Sequence, residues 1–170
     1  FRSIAFIKQY AQAGLKNTIP MVVPMPGLEA RILAAVGDDA TGLIGTSHWN
    51  SDFENPVNKA FVEAFRSKYN REPTPYAAQG YDTAKLIGAA LKASGGKIED
   101  PEKFRSAMLK ADTKLTRGNF KFGQNQHPIH DWYQISAVKG SDGKLSLKTG
   151  PKILSNEGDP YAQEIGRAHV

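Results

Sequence analysis

Two imidazoles and a carboxylate fall within five residues at His127-Pro-Ile-His130-Asp131, and these are side-chain types that ligate zinc. A metal-dependent hydrolase is the chemistry such a set would serve. The spacing argues against it, because Pro128 favours an extended or turning backbone and strand alternation sends His130 and Asp131 to opposite faces. The plainer alternative is a turn followed by the start of a strand. No Gly-x-Ser-x-Gly elbow, no Gly-x-x-x-x-Gly-Lys-Ser/Thr loop and no Gly-x-Gly-x-x-Gly occurs. The chain has no cysteine, which excludes thiol catalysis, zinc ribbons and internal disulfides within it. Neither metal nor cofactor is therefore expected, and binding is favoured over catalysis.

The elements that would carry such a binding site can be traced along the chain. Residues 1–14 read as the end of a helix, with Ile4, Ile7 and Ala11 on one line and Gly14 as its stop. Ile19-Pro-Met-Val-Val-Pro24 reads as a short buried strand, residues 28–36 as a helix stopped at Gly37, and residues 43–46 as a second strand. Helix, strand, helix, strand is the rhythm of a parallel α/β sheet, in which ligands collect beyond the carboxyl ends of strands. Two stretches occupy such ends, residues 24–29 and Ser47-His48-Trp49-Asn50.

Beyond Trp49 the pattern turns helical. Asn55-Pro56 opens a helix with Val57, Ala60, Phe61, Ala64 and Phe65 on its apolar stripe, and Asn70 is placed to end it. Thr74-Pro75 caps the next helix, and Gly95-Gly96 supplies its left-handed exit. Its apolar line runs Ala77, Gly80, Tyr81, Ala84, Ile87, Gly88 and Leu91, with Gln79, Asp82, Lys85 and Lys92 mostly on other faces. Tyr76 and Tyr81 are read as helix-packing residues. Asp100-Pro101 begins a third helix. Residues 118–123 alternate as a strand, residues 129–138 form a longer one, and Gly140-Ser-Asp-Gly143 is a hairpin loop into residues 144–148. From Gly150 the composition predicts an irregular tail.

With 40% hydrophobic and 23% charged residues the chain reads as globular, and no apolar run approaches the roughly 18 residues of a membrane span. The net charge of +5 comes from Lys and Arg interleaved with Asp and Glu, without a block of like charge, which argues against nucleic-acid binding. Phe1 falls inside a helical pattern, so the chain is expected to be a piece of a longer protein. Residues 164–170 (EIGRAHV) match the translation of a common sequencing-adapter read and are set aside from the fold.

Several segments together resemble one family. They are Asn55-Pro-Val-Asn-Lys-Ala-Phe-Val-Glu-Ala-Phe-Arg-Ser-Lys-Tyr69, Pro73, and Tyr76-Ala-Ala-Gln-Gly-Tyr-Asp82. Phe6-Ile-Lys-Gln-Tyr10, Gly37-Asp38 with Gly42, and Arg117-Gly-Asn-Phe-Lys-Phe122 leading to His127-Pro128 and Asp131 add to them. In this order they resemble the periplasmic solute-binding proteins of branched-chain-amino-acid-type ABC transporters, with the matches running to about residue 138.

The resemblance implies an α/β type I periplasmic-binding-protein fold (Venus flytrap) with a ligand cleft between two lobes, of which this chain is the carboxyl-terminal part. Residues 1–46 would belong to the second lobe, 47–49 to a hinge crossing, 50–117 to the first lobe and 118–150 to the second lobe's return strands, with 151–163 as an irregular tail. Both lobes would be incomplete, and the helix from Pro75 would cover first-lobe strands outside this chain. The implied protein is a monomeric extracytoplasmic component that delivers a small amino acid or an aromatic or other organic acid to an ABC permease. A ligand-sensing domain of a regulator or receptor would use the same fold.

The same resemblance assigns the ligand-binding positions Met25, Glu29, His48 and Trp49. Family members that bind α-amino acids pair the ammonium with a second-lobe acid, and the register from Gly37-Asp38 places Met25 there. Met25 is a polarisable apolar filler, which favours a less cationic solute; Glu29, one helical turn on, would rescue the amino-acid reading if the loop folds back. Their plainer alternatives are a packed loop methionine and a solvated first-turn acid. At the hinge, Trp49 offers a stacking face and a neutral His48 one hydrogen bond, against the alternative of a buried tryptophan beside an exposed histidine.

Overall fold

The computed structural model describes residues 2–111 and 113–162. Residues 164–170 lie outside them. In chain order the elements are α1 (Arg2–Gln12), α2 (Ala30–Val36), β1 (Ile44–Ser47), α3 (Pro56–Tyr69), α4 (Pro75–Ala93), α5 (Pro101–Leu109), β2 (Phe120–Phe122), β3 (Pro128–Lys139) and β4 (Leu145–Glu157).

Local sequence sets the helix ends as expected. Asn55, Thr74 and Asp100 each accept a backbone N–H from the third residue onward, and each is followed by proline at the first helical position. Asn70 closes α3 in the left-handed region at φ 48°.

The parallel relation expected of residues 19–24 and 43–46 is present as a single bridge, and the rest of the sheet is antiparallel. β3 is its central strand and every named pairing is antiparallel: β1 with residues 133–136, β2 with 128–130, and β4 along nearly the whole length. Among the described residues, 19–24 make one parallel bridge, Val22 to Ile44, supported by the Val23 N–H donating to the Ile44 carbonyl at 2.8 Å. Gly45 permits this approach, since a side chain there would collide with the Val23 carbonyl. The expected irregular tail is in fact strand as far as Glu157. Register shifts between Tyr133 and Ile135 leave Gly150 and Pro151 unpaired between Thr149 and Lys152, so the proline's missing N–H removes no ladder bond.

Two apolar clusters form. One joins α1 and α2 to the sheet through Ile7, Leu28, Leu33, Val36, Ile135 and Ala137. The other gathers Trp49, Phe53, Phe61, Val62 and Ala78, with Tyr133 of β3 packed against it. β3 therefore reaches both clusters.

The face that α4 buries also differs from the expected one. Ala78, Asp82, Leu86 and Ala90 point inward, whereas Tyr81 and Ile87 are exposed. Asp82 is drawn in because Thr116 and Arg117 satisfy its carboxylate, which offsets the cost of burying a charge.

Candidate functional site

A cavity of about 330 Å³ is lined by Met25, Glu29 and Leu33, by Trp49 and Asn50, and by Arg66 and Glu72. The Gly140–Leu147 hairpin also contributes to the wall. Three of the four expected binding positions thus meet at one cavity, Met25 and Glu29 from the stretch before α2 and Trp49 from the stretch after β1.

Each segment is fixed by its own bonds. The Met25 N–H donates to the Thr46 carbonyl at 3.2 Å, which continues the alignment of residues 22–25 beside β1. Glu29 immediately precedes α2 and makes no side-chain capping bond, so its carboxylate is not consumed by the helix terminus. Trp49 is buried, 3% exposed, and its indole N–H donates to Asn58 Oδ1 at 2.7 Å. Its ring meets Phe61 edge-on at 6.3 Å. Trp49 therefore matches the buried-tryptophan alternative and offers the cavity only a small part of its surface.

Asn58 organises this corner. Its amide donates to the carbonyls of Asn50, Ser51 and Phe53 at 3.1–3.3 Å while its oxygen holds Trp49. The loop after β1 is further tied to β4 by the Asn50 amide, which donates to Thr149 Oγ1 at 3.1 Å and the Leu147 carbonyl at 3.2 Å. Asp52 accepts the Thr149 N–H at 3.0 Å.

Arg66 and Glu72 form a two-pronged pair at 2.7 and 2.9 Å, and the Glu72 hydrogen bond raises the Arg66 pKa above its ordinary value. That pair neutralises itself, whereas the Glu29 carboxylate makes no hydrogen bond to another side chain among the described residues.

His48 lies outside this lining. It is partly buried and stacks on His130, so the exposed-histidine alternative does not describe its position. The other members of the His127–Asp131 set also diverge. His127 Nδ1 lies 3.4 Å from Asp159, and Asp131 accepts from Lys152 at 2.6 Å and from the Asn156 N–H at 2.9 Å. The Lys152 bond holds the Asp131 pKa below the ordinary carboxylate range. Among the described residues no group of three or more His, Cys, Asp or Glu could hold a metal ion.

Sequence reasoning missed Arg66, Glu72 and the hairpin contribution, which only the packing of distant segments brings together. It also missed Asn58 and Asp82, whose signal was a polar residue interrupting an otherwise small or apolar helix face.

The family profile described as periplasmic binding protein matches residues 2–144. A curated relative, the Leu/Ile/Val-binding protein homolog 6 of Brucella suis, is 27% identical over 162 residues, covering 93% of this chain and 41% of its own. An ABC transporter substrate-binding protein from Sphaerobacter thermophilus superposes with TM-score 0.86 at 26% identity, over 92% of this chain and 43% of that one. A solute-binding protein of an ABC transporter from R. palustris in complex with benzoate gives TM-score 0.75 at 32% identity, over 90% of this chain and 41% of that one. The chain thus spans less than half the length of these proteins, and its fold is that of type I periplasmic binding proteins. It belongs to the periplasmic binding protein family.

Proposed function

We propose that the full-length protein containing this chain is the extracytoplasmic solute-binding component of an ABC importer. It holds a small organic acid or amino acid between two lobes and presents the loaded form to a membrane permease. It acts by binding, without turnover, and as a monomer. In this reading residues 1–46 and 118–150 belong to one lobe, 50–117 to the other, and 47–49 cross between them. The two apolar clusters meeting along β3 support that division.

The observation that carries the proposal is the cavity at which Met25, Glu29 and Trp49 meet, between the segments assigned to opposite lobes. Met25 at the position of the ammonium-pairing acid favours an aromatic or other organic acid, in keeping with the benzoate complex of the R. palustris relative. Glu29 keeps an amino acid such as leucine as the second reading, in keeping with the Brucella relative's name.

Thermal unfolding of the full-length protein with benzoate, hydroxybenzoates, leucine, valine and short amides tests this. At a hundred times its dissociation constant a true ligand adds about 2.7 kcal/mol, enough to raise the midpoint by several degrees. A shift with one chemical class supports the proposal, and no shift with any of them contradicts it.

A further inference from the structure

Outside the cavity, the rings of His48 and His130 lie parallel within 6°, with centroids 4.7 Å apart. Trp132 stands edge-on to both, 5.5 Å from His48 and 5.2 Å from His130. His48 comes from the segment that leaves β1 for α3, while His130 and Trp132 come from the first half of β3. Gln79 of α4 places its amide nitrogen 3.3 Å from Nε2 of His48. His130 is 5% exposed, and its buried Nδ1 has no hydrogen-bond partner among the described residues.

We propose that this imidazole stack is a proton-sensitive clasp: with both rings neutral it holds the crossing at residues 47–49 against β3, and protonation of either ring separates them and favours lobe opening. The proposal rests on the two-lobed reading above.

Each ring has a geometric reason to stay neutral. A proton on Nδ1 of His130 would create a buried donor facing no acceptor among the described residues. With the Gln79 amide as donor, Nε2 of His48 is the acceptor, and a proton there sets donor against donor until the amide turns over. Two charged rings in this stack would also repel each other.

The surrounding charges act in both directions. Arg117 opposes protonation of both rings, and its guanidinium is held in place by Asp82 of α4 at 3.0 Å. Asp131 favours a proton on His130, but it is engaged by Lys152 of β4. Glu157 lies opposite His130 in the β3–β4 register and is exposed. Burial is the largest influence on both rings. It lowers His48 to about 3, aided by Arg117 and His130, and lowers His130 to about 4, aided by Arg117 and opposed by Asp131. Rings released from the stack would titrate near the ordinary histidine value of 6.5, so acid selects the released state.

Small-angle scattering of the ligand-free full-length protein and titration with benzoate and leucine, each at pH 7.5 and 4.5, test the clasp. The expected result is a more open distribution at pH 4.5 and an affinity at least about tenfold weaker for whichever probe binds at pH 7.5. Both changes should vanish in the His48→Phe/His130→Phe variant. Unchanged scattering in the wild-type protein, or the same pH response in the variant, overturns the clasp. If neither probe binds at pH 7.5, the solute-binding reading loses support while the scattering result still decides the clasp. Should the variant fail to fold, nitrogen-15 titration of the wild-type rings decides. Midpoints for both rings well below 6.5, with the opening following them, support the clasp, and ordinary midpoints without opening refute it.

Discussion

The Asp82 carboxylate accepts the Arg117 Nε–H at 3.0 Å, with both side chains almost wholly enclosed. The same carboxylate takes the Thr116 N–H at 2.8 Å and its hydroxyl at 3.0 Å. Three bonds from one side chain thus tie the middle of α4 to the segment that leads into β2. A buried pair of this kind is costly to break from one side, because the remaining charge stays enclosed without its partner.

Asp82→Ala is accordingly expected to destabilise the full-length protein by about 3 kcal/mol or more, leaving the Arg117 guanidinium and the Thr116 N–H unsatisfied. Chemical denaturation measures this. A change below about 0.5 kcal/mol, typical of a surface substitution, would mean that water replaces the carboxylate without cost.

Asn58→Ala removes the acceptor of the Trp49 indole and the donors to three loop carbonyls, all in buried surroundings. A loss of about 2–4 kcal/mol is expected. The fluorescence of Trp49 should also shift as its environment loosens, and a native emission spectrum with native stability would contradict the role given to Asn58.

Stability should fall with acid in a window set by the two stacked histidines. Both are depressed in the folded state, to about 3 for His48 and about 4 for His130, so below pH 6.5 the unfolded chain binds the extra protons. Their contribution is complete above 6.5 and is lost as pH falls from there toward 4 and 3, with a slope of at most about 1.4 kcal/mol per pH unit for each ring. Unfolding free energies measured between pH 7.5 and 4 check this, and the His48→Phe/His130→Phe variant should give a flatter profile. Equal slopes would assign the acid sensitivity to other groups.

Gly45→Ala would set a methyl group against the Val23 carbonyl and so push residues 22–25, including Met25, away from β1. The expected cost is about 1–3 kcal/mol, accompanied by weaker ligand binding. Unaltered stability and affinity would show that this segment can shift without disturbing the site.

What the sequence made legible follows the range of the interactions involved. The caps at Asn55, Thr74 and Asp100 depend on bonds three residues long, and the structure places each one as expected. The segment at residues 19–24 has strand-like composition, but pairing needs a neighbour, and β1 supplies it at one bridge only. The β3–β4 hairpin was legible in Gly140–Gly143, but the pairing of β1 and β2 with β3 and the length of β4 were not, because β3 is their common partner and Gly150-Pro151 imitates a strand end. In the candidate site, the meeting of Met25, Glu29 and Trp49 was anticipated through family likeness. The place of the Arg66–Glu72 pair at that cavity and the stacking of His48 on His130 were not, since the one depends on how α3 packs against the segment at residues 25–33 and the other joins residues 82 positions apart.

Calorimetric titration of the full-length protein and its Met25→Glu variant with benzoate and with leucine bears most directly on the account. The wild-type protein is predicted to bind benzoate in preference to leucine, and the variant to lose at least about tenfold in benzoate affinity, because a carboxylate would then repel that of the ligand. Equal benzoate affinity in both proteins, or a wild-type preference for leucine, would contradict the assignment of Met25 as the residue that selects an acid lacking an ammonium group.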